Sequence, residues 1–225
     1  MPQGFFVTFE GLDGSGKSTQ LRLLKTWLEE QGKIVTATRQ PGGTVIGDSI
    51  RTLLLDSRTQ NLSPLAELGL MFSDRAQSIA QVIRPALERG DIVLCDRFTD
   101  STEAYQGGGR ELGSKIVLDL DAVICGGFTP DLTLLLLPDL DLSLDRARRR
   151  NRRNARSKGG NENRFENEDE GFYARVLAKY REIAAREPSR VAVIDGDAPI
   201  DEVHRRISKT VEARLPLPEP VKHFS

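Results

Sequence analysis

Cysteine and histidine are scarce in this 225-residue chain, which contains two residues of each. Cys95 lies in an apolar run and Cys125 lies beside a glycine turn, so both thiols are predicted to be packed and inert. Two cysteines cannot build a disulfide framework, and neither His204 nor His223 has a cysteine or histidine at metal-ligand spacing. We therefore expect no disulfide scaffold and no zinc site.

Excess charge and long apolar runs are also missing. Lys and Arg total 32 against 33 Asp and Glu, a formal net charge of −1, so no overall field favours nucleic acid as a partner. The apolar run 132–137 is too short to span a bilayer, and the N-terminus lacks a charged-then-apolar leader. We expect a cytoplasmic protein without a membrane partner, built as one domain over residues 1–215 with a proline-containing tail over 216–225.

One stretch of the chain fits the phosphate-binding pattern G-x-x-x-x-G-K-[ST], at residues 11–18. The aromatic and β-branched run 5–9 before it predicts a buried strand, and leucines at helical spacing after it predict a helix. Strand, glycine loop and helix are the context in which backbone N–H groups and a helix N-terminus surround an anion. In that context Lys17 reaches the β- and γ-phosphates and the Ser18 hydroxyl binds Mg²⁺.

The composition of this loop raises two further expectations. Asp13 places a carboxylate where a phosphate cradle has no use for negative charge, so we expect it to face a hydroxyl or a metal. Residues 12–15 contain no arginine, so a guanidinium that stabilises transition-state charge must come from elsewhere. The range 146–156 contains seven arginines; a solvated basic face or an RNA-contact patch are the alternative interpretations.

Strand-like and helical patterns alternate along the rest of the chain. Short apolar runs predict further strands at 34–38, 92–96, 132–137 and 191–194. A long helix is predicted from the cap Ser63-Pro64 to about Glu88, and another from about Asp139. The glycines at 105–110 predict a flexible loop. The alternation predicts an α/β fold, a three-layer parallel sheet with helices on both faces.

Five more motifs follow the loop in a fixed order. They are Arg39-x-Pro41-Gly42-Gly43-Thr44, Phe72-x-Asp74-Arg75-Ala76-Gln77, Asp96-Arg97-Phe98-x-x-Ser101, Ala104-Tyr105-Gln106-Gly107-x-Gly109-Arg110 and Asn163-Arg164-Phe165-Glu166. With the loop segment 9–19, they resemble the bacterial thymidylate kinases over roughly residues 5–213. The resemblance implies a P-loop nucleoside monophosphate kinase fold with an arginine-rich lid at about 146–166, a homodimer, and Mg²⁺-dependent transfer of the ATP γ-phosphate to dTMP.

The same resemblance implies roles for individual residues. The implied ATP-binding residues are Gly11, Leu12, Asp13, Gly14, Ser15, Gly16, Lys17, Ser18 and Thr19. The implied dTMP-binding residues are Asp13, Arg39, Phe72, Arg75, Arg97, Ser101, Tyr105 and Gln106. The implied catalytic residues are Asp13, Lys17, Arg97 and Arg150, with Arg146 or Arg148 as substitutes for Arg150, and the implied metal-binding residues are Ser18 and Asp96.

Some of these roles compete with plainer ones. Arg39 and Arg97 are implied clamps on the acceptor phosphate, although Arg39 by itself also fits a surface residue. Phe72 is the implied ring that stacks on thymine, next to Arg75 as donor to thymine O4, but Phe72 also fits plain core. Tyr105 is the implied gate against a ribose 2′-hydroxyl, and a packed core tyrosine is the alternative.

The chain also departs from the family's pattern at three positions. Gln40 stands where the family usually has Glu, which removes a charge near the acceptor site, while Leu137 and Asn163 each replace an acid. Two rival functions remain open at this point. One is another nucleoside or nucleotide kinase of the same superfamily, and the other is a nucleotide-gated RNA-binding protein that uses the arginine run.

Overall fold

The computed structural model describes residues 4–56, 58–59, 61–137 and 164–216, and its centre is a parallel β-sheet. The strands are Phe5–Glu10 (β1), Val35–Arg39 (β2), Ile92–Asp96 (β3), Leu132–Leu136 (β4) and Val191–Ile194 (β5). They are ordered β2-β3-β1-β4-β5 and all neighbours run parallel. Phe9 and Arg39 both pair with Asp96, so the carboxyl ends of three neighbouring strands meet at one edge. Ligands of open α/β sheets bind outside this edge.

The helices alternate with these strands, as the sequence predicted. Their bounds are Lys17–Glu30 (α1), Val45–Leu55 (α2), Pro64–Ser78 (α3), Arg84–Glu88 (α4), Thr99–Thr102 (α5), Ser114–Leu120 (α6), Glu170–Arg186 (α7) and Ile200–Glu212 (α8). A π-helical turn, Ile79–Ile83, joins α3 to α4, so the predicted helix from Ser63-Pro64 to Glu88 is confirmed. The Ser63 side chain accepts a hydrogen bond from the Ala66 N–H and caps α3.

Each face of the sheet packs against helices. On one face Val7 and Phe9 of β1 pack with Leu24 of α1 and Ile207 of α8. On the other face Phe6 packs with the aliphatic and aromatic residues of α3. Burying one such side chain contributes about 1.5–3 kcal/mol, so both faces hold β1 firmly beneath the loop that follows it. The three-layer α/β fold with helices on both faces is therefore confirmed.

The predicted flexible loop at 105–110 is wrong, because most of this segment is helical. A π-helix spans Glu103–Gly109 and continues α5. A Cβ on Gly109 would lie 2.5 Å from Phe172 Cε2, and one on Gly108 would lie 2.8 Å from Lys179 Cβ. The glycines therefore let the segment pack closely against α7, a use that the sequence signal for a loop does not distinguish from flexibility.

Several predictions fall outside the described residues. These are the helix from about Asp139, the arginines Arg146, Arg148 and Arg150, and residues 217–225 of the tail. Of the predicted lid range 146–166, residues 164–166 are described. They lie in a short 3₁₀-helix, Arg164–Asn167, which precedes α7. No helix in the described ranges is long and apolar enough to cross a membrane.

Candidate active site

The glycine loop between β1 and α1 has the backbone geometry of an anion cradle. Gly11, Gly14 and Gly16 have φ values of 129°, 80° and 96°, the left-handed region that favours glycine. A Cβ on Gly11 would lie 2.2 Å from the Leu136 carbonyl oxygen, whereas a Cβ on Gly16 would meet no atom within 4 Å. The loop is thus pressed against β4 on one side. Within the described residues no side chain caps the N-terminus of α1, which suits an anionic ligand there.

Lys17 lies folded onto this loop. Its Nζ donates to the carbonyl oxygens of Gly11 and Leu12, at 3.0 and 2.8 Å. Burial, followed by the charge of Arg97, lowers the pKa of Lys17 to about 8. A desolvated ammonium that donates to carbonyl oxygens gains more from a phosphate than a hydrated one would. The geometry therefore prepares Lys17 for an anion on the loop.

The two residues implied as metal ligands lie in direct contact. The Ser18 hydroxyl donates to Asp96 Oδ2 at 2.8 Å, across the junction of α1 and the carboxyl end of β3. No group of three or more His, Cys, Asp or Glu side chains suited to a metal occurs in the described part of the chain. A hydroxyl and one carboxylate match the way Mg²⁺ binds through few protein oxygens plus waters and substrate phosphates. The residues present therefore fit Mg²⁺ carried with a nucleotide.

A cleft opens beside the loop. It is lined by Asp13, Gln40, Pro41, Arg51, Leu55, Met71, Asp74, Arg75, Arg97, Phe98, Ser101, Thr102, Tyr105, Gln106 and Phe165. Six of the eight residues implied to bind dTMP are among them. We call this space the acceptor cleft.

Arg97 is the residue that connects the loop to the acceptor cleft. Its φ is 72°, a costly conformation for a non-glycine residue that the surrounding contacts must hold in place. The guanidinium donates to Ser101 Oγ and to Asp13 Oδ1, each at 3.0 Å, and to the Tyr105 hydroxyl at 3.2 Å. Its carbon also lies 4.9 Å from the centre of the Tyr105 ring. Asp13 therefore pairs with an arginine of the cleft, while the expected hydroxyl or metal partner of this carboxylate stays a prediction.

Glu10, at the end of β1, is a site residue that the sequence analysis quoted but gave no role. The carboxylate is fully buried and accepts from the Phe98 N–H at 2.7 Å, from the Tyr180 hydroxyl at 3.2 Å and from the Ser101 hydroxyl. Burial, reinforced by the charge of Asp100, raises the pKa of Glu10 to about 7. The Glu10 carboxylate thus bonds to Phe98, which follows Arg97, and to Ser101 and Tyr180, whose hydroxyls contact the Arg97 guanidinium. It therefore fixes the strained turn after β3.

Arg75 is a second buried arginine that lines the acceptor cleft. Its Nε donates to Gln40 Oε1 at 3.0 Å and its Nη2 donates to Thr102 Oγ1 at 2.8 Å. The guanidinium carbon lies 5.0 Å from the centre of the Phe72 ring and 5.1 Å from that of Phe98. Gln40, which takes the place of the family's Glu, thus contacts the arginine implied to bind the base.

Two residues implied as dTMP ligands do not line the described cleft. Phe72 is fully buried in the core cluster of α3 and the sheet, which agrees with its plainer interpretation. Arg39 is about half exposed and donates to Asp48 Oδ1 at 3.1 Å. Their places in the lining are taken by Met71, the preceding residue of α3, and by Arg51 of α2.

The sequence analysis missed Arg51 and Met71, although a weak signal existed for each. Arg51 and Leu55 stand one helical turn apart, so they share a face of α2. Met71 stands one turn before Arg75 on α3, a closer match to a shared face than the three-residue spacing of Phe72. Distinguishing these residues from their neighbours required knowing which face of each helix the fold turns toward the cleft.

Comparisons with known proteins agree with one another. A family model described as thymidylate kinase matches residues 9–207. The chain is 47% identical over 210 residues to a thymidylate kinase of Desulfovibrio desulfuricans, covering 93% of this chain and 96% of that relative. It is 51% identical over 190 residues to one of Solidesulfovibrio magneticus, covering 84% and 90%. The crystal structure of thymidylate kinase from Ehrlichia chaffeensis aligns with a TM-score of 0.73 and 33% identity, over 94% of this chain and 99% of that one.

Proposed function

This chain belongs to the thymidylate kinase family and transfers the γ-phosphate of ATP to dTMP, giving dTDP and ADP, and from that premise we propose that loop 11–18 holds ATP while the acceptor cleft holds dTMP. The observation that carries this division is the ion pair between Asp13 of the loop and Arg97 of the cleft, at 3.0 Å. It brings a residue of each site into contact, as an in-line transfer between two bound nucleotides requires.

At the loop, backbone N–H groups and the N-terminus of α1 bind the ATP phosphates. Lys17 exchanges its bonds to the Gly11 and Leu12 carbonyls for the β- and γ-phosphate oxygens. Ser18 and Asp96 would hold Mg²⁺, which would neutralise phosphate charge. Transfer is direct, and the chain supplies position and charge complementarity with no covalent intermediate.

In the acceptor cleft, Arg97 binds the phosphate of dTMP, and its planar fork suits that group better than a lysine would. We assign the second clamp to Arg51, which lines the described cleft, in place of Arg39, which does not line it and pairs with Asp48. Asp13 orients the deoxyribose 3′-hydroxyl. The ring of Tyr105, held against the Arg97 guanidinium, lies against the sugar and leaves no room for a 2′-hydroxyl.

The base end of the cleft is built by Arg75, Ser101 and Gln106, with Met71 and Phe165 as apolar walls. Arg75 donates to thymine O4. Its Nε and Nη2 are already bonded to Gln40 and Thr102, so the guanidinium is oriented before the base arrives. We propose Met71 in place of Phe72 as the contact to the face of thymine.

Three parts of the proposal rest on the family resemblance. Arg150 supplies the transition-state guanidinium that loop residues 12–15 lack. The enzyme works in the cytoplasm as a homodimer that packs its long helices, and Leu65 of α3, which is 59% exposed, suits such an interface. Singly replacing Arg146, Arg148 and Arg150 by Ala tests the first point, since loss of one of them should lower kcat and kcat/KM together. Light scattering of the purified protein tests the homodimer.

A coupled assay of ADP release tests the activity itself, with dTMP, dUMP, dCMP, dGMP, AMP and UMP as acceptors. We expect dTMP to be the preferred substrate. Lys17→Ala should abolish turnover, whereas Lys25→Ala, on the exposed side of the same helix, should leave it unchanged. A folded Lys17→Ala variant that releases ADP at the wild-type rate would contradict the assignment of the loop.

A further inference from the structure

Glu67 of α3 is a fully buried carboxylate outside the lining of the acceptor cleft, and it accepts hydrogen bonds from two other segments. Gln106 Nε2 donates to Oε1 at 2.7 Å, and Arg164 Nη2 lies 2.6 Å from Oε2. Arg110 donates to both oxygens, from Nε at 3.3 Å and from Nη2 at 3.4 Å. A carboxylate has about four acceptor directions, so this one is saturated. It is therefore a fixed point of the structure.

The partners of Glu67 lead directly to the wall of the cleft. Gln106 lines the cleft itself. Arg164 precedes Phe165, another lining residue, and its guanidinium carbon lies 5.4 Å from the centre of that ring. Arg164 Nη1 also donates to the Leu54 carbonyl at 3.2 Å, next to the lining residue Leu55. Glu67 thus stands behind the wall and joins the segments that form it.

The contact with Glu67 also fixes which way the Gln106 amide points. An ionised carboxylate accepts hydrogen bonds and donates none, so the Gln106 atom that faces it must be the amide nitrogen. The amide oxygen lies on the other side of the same planar group. In a residue that lines the cleft, this leaves an acceptor for the ligand.

We propose that Glu67 is a positioning residue for base selection, which turns the Gln106 amide so that its oxygen accepts the ring N–H of thymine and holds Phe165 in place through Arg164. This inference rests on dTMP as the acceptor substrate. Thymine carries a hydrogen on N3, whereas neutral cytosine presents a lone pair there. An acceptor oxygen in a fixed orientation binds the first and repels the second, and a site built to pair with a donor discriminates strongly against a ligand that lacks it.

Glu67→Gln is the test, because it keeps the shape of the side chain and removes its charge. A neutral amide can present either its NH₂ or its oxygen to Gln106, so the Gln106 amide is free to turn over. We expect the ratio of kcat/KM for dTMP over dCMP to fall about tenfold, with the dTMP KM raised and the ATP KM unchanged.

Glu103→Gln is the matched control. Glu103 is also buried, lies in the adjoining π-helix and pairs with Arg186 at 2.8 and 2.7 Å, but it does not line the described cleft. Both variants should lose stability, and only Glu67→Gln should change the dTMP-to-dCMP ratio. Equal ratios in the two variants and the wild type would overturn the proposal.

A second variant covers the case in which Glu67→Gln does not fold. Gln106→Met leaves Glu67 with both arginines and removes the oriented amide, so we expect the same fall in the ratio, and an unchanged ratio would overturn the proposal. The wild-type assay separates this inference from the proposed function. If the wild type did not phosphorylate dTMP, the function would fail, whereas efficient dTMP turnover with no effect of either variant would refute the role of Glu67 alone.

Discussion

Replacing Glu10 by Gln should change how the stability of the protein depends on pH. Burial raises the pKa of Glu10 from 4.5 to about 7, so the folded state binds a proton more tightly than the unfolded state. The stabilisation by that proton is complete below pH 4.5 and is lost as the pH rises through 7. A shift of this size corresponds to about 3 kcal/mol in total, and most of it falls between pH 5 and pH 8.

The measurement is urea unfolding of the wild type and of Glu10→Gln at pH 5 and at pH 8. Other buried acids, such as Asp74, whose burial raises its pKa to about 6, titrate in both proteins and cancel in the comparison. We expect the free energy of unfolding of the wild type to fall by about 2–3 kcal/mol more than that of the variant between the two pH values. An equal fall in both proteins would refute a buried, titrating Glu10.

Three further changes test the site and the fold. Arg97→Ala should lower kcat/KM for dTMP on the order of a hundredfold or more. Arg39→Ala, outside the described cleft lining, should lower kcat/KM far less. Equal small losses in the ADP-release assay would contradict the placement of Arg97 in the acceptor site. Tyr105→Ala should raise the relative efficiency with the ribonucleotide counterpart of dTMP, and an unchanged ratio of kcat/KM values would argue against a sugar gate. Gly109→Ala places a Cβ 2.5 Å from Phe172 and should lower the free energy of unfolding by about 1–3 kcal/mol, measured by thermal unfolding. Gly69→Ala, whose Cβ would meet no atom within 4 Å, should leave the stability unchanged or raise it. Equal effects of the two changes would contradict the packing role of Gly109.

Local patterns were enough to predict the strands, the phosphate loop and the α/β class. The loop motif is a contiguous stretch in which glycines mark positions that need a positive φ, and Gly11, Gly14 and Gly16 have the expected positive φ. The buried strands are short, nearly continuous runs of apolar residues, which is the pattern of parallel strands covered on both faces. These features depend on neighbours in sequence, so the sequence carries them directly.

The acceptor cleft was harder to predict because it depends on which face of a helix meets which neighbour. Phe72 and Met71 are adjacent in sequence, yet the helix turns Phe72 into the core and Met71 into the cleft. The glycines at 107–109 suggested a loop, because the sequence does not show that Gly108 and Gly109 lie against α7, more than sixty positions away. Glu67 gave no signal, since a lone glutamate in an amphipathic helix is usually solvated and its four donors come from distant residues.

The two arginine–carboxylate centres of the site differ in a way that matches their proposed tasks. Asp13 and Arg97 are 29% and 17% exposed, and one contact of 3.0 Å joins them. A phosphate dianion can therefore replace or share that contact without leaving a deeply buried charge unpaired. Glu67 and Arg164 are 0% and 6% exposed, and removing Glu67 would leave the buried Arg164 guanidinium without its carboxylate partner, at a cost of about 3–5 kcal/mol. The more exposed pair, Asp13 and Arg97, can therefore separate when substrate binds. The buried pair, Glu67 and Arg164, must stay intact because it supports the wall of the acceptor cleft.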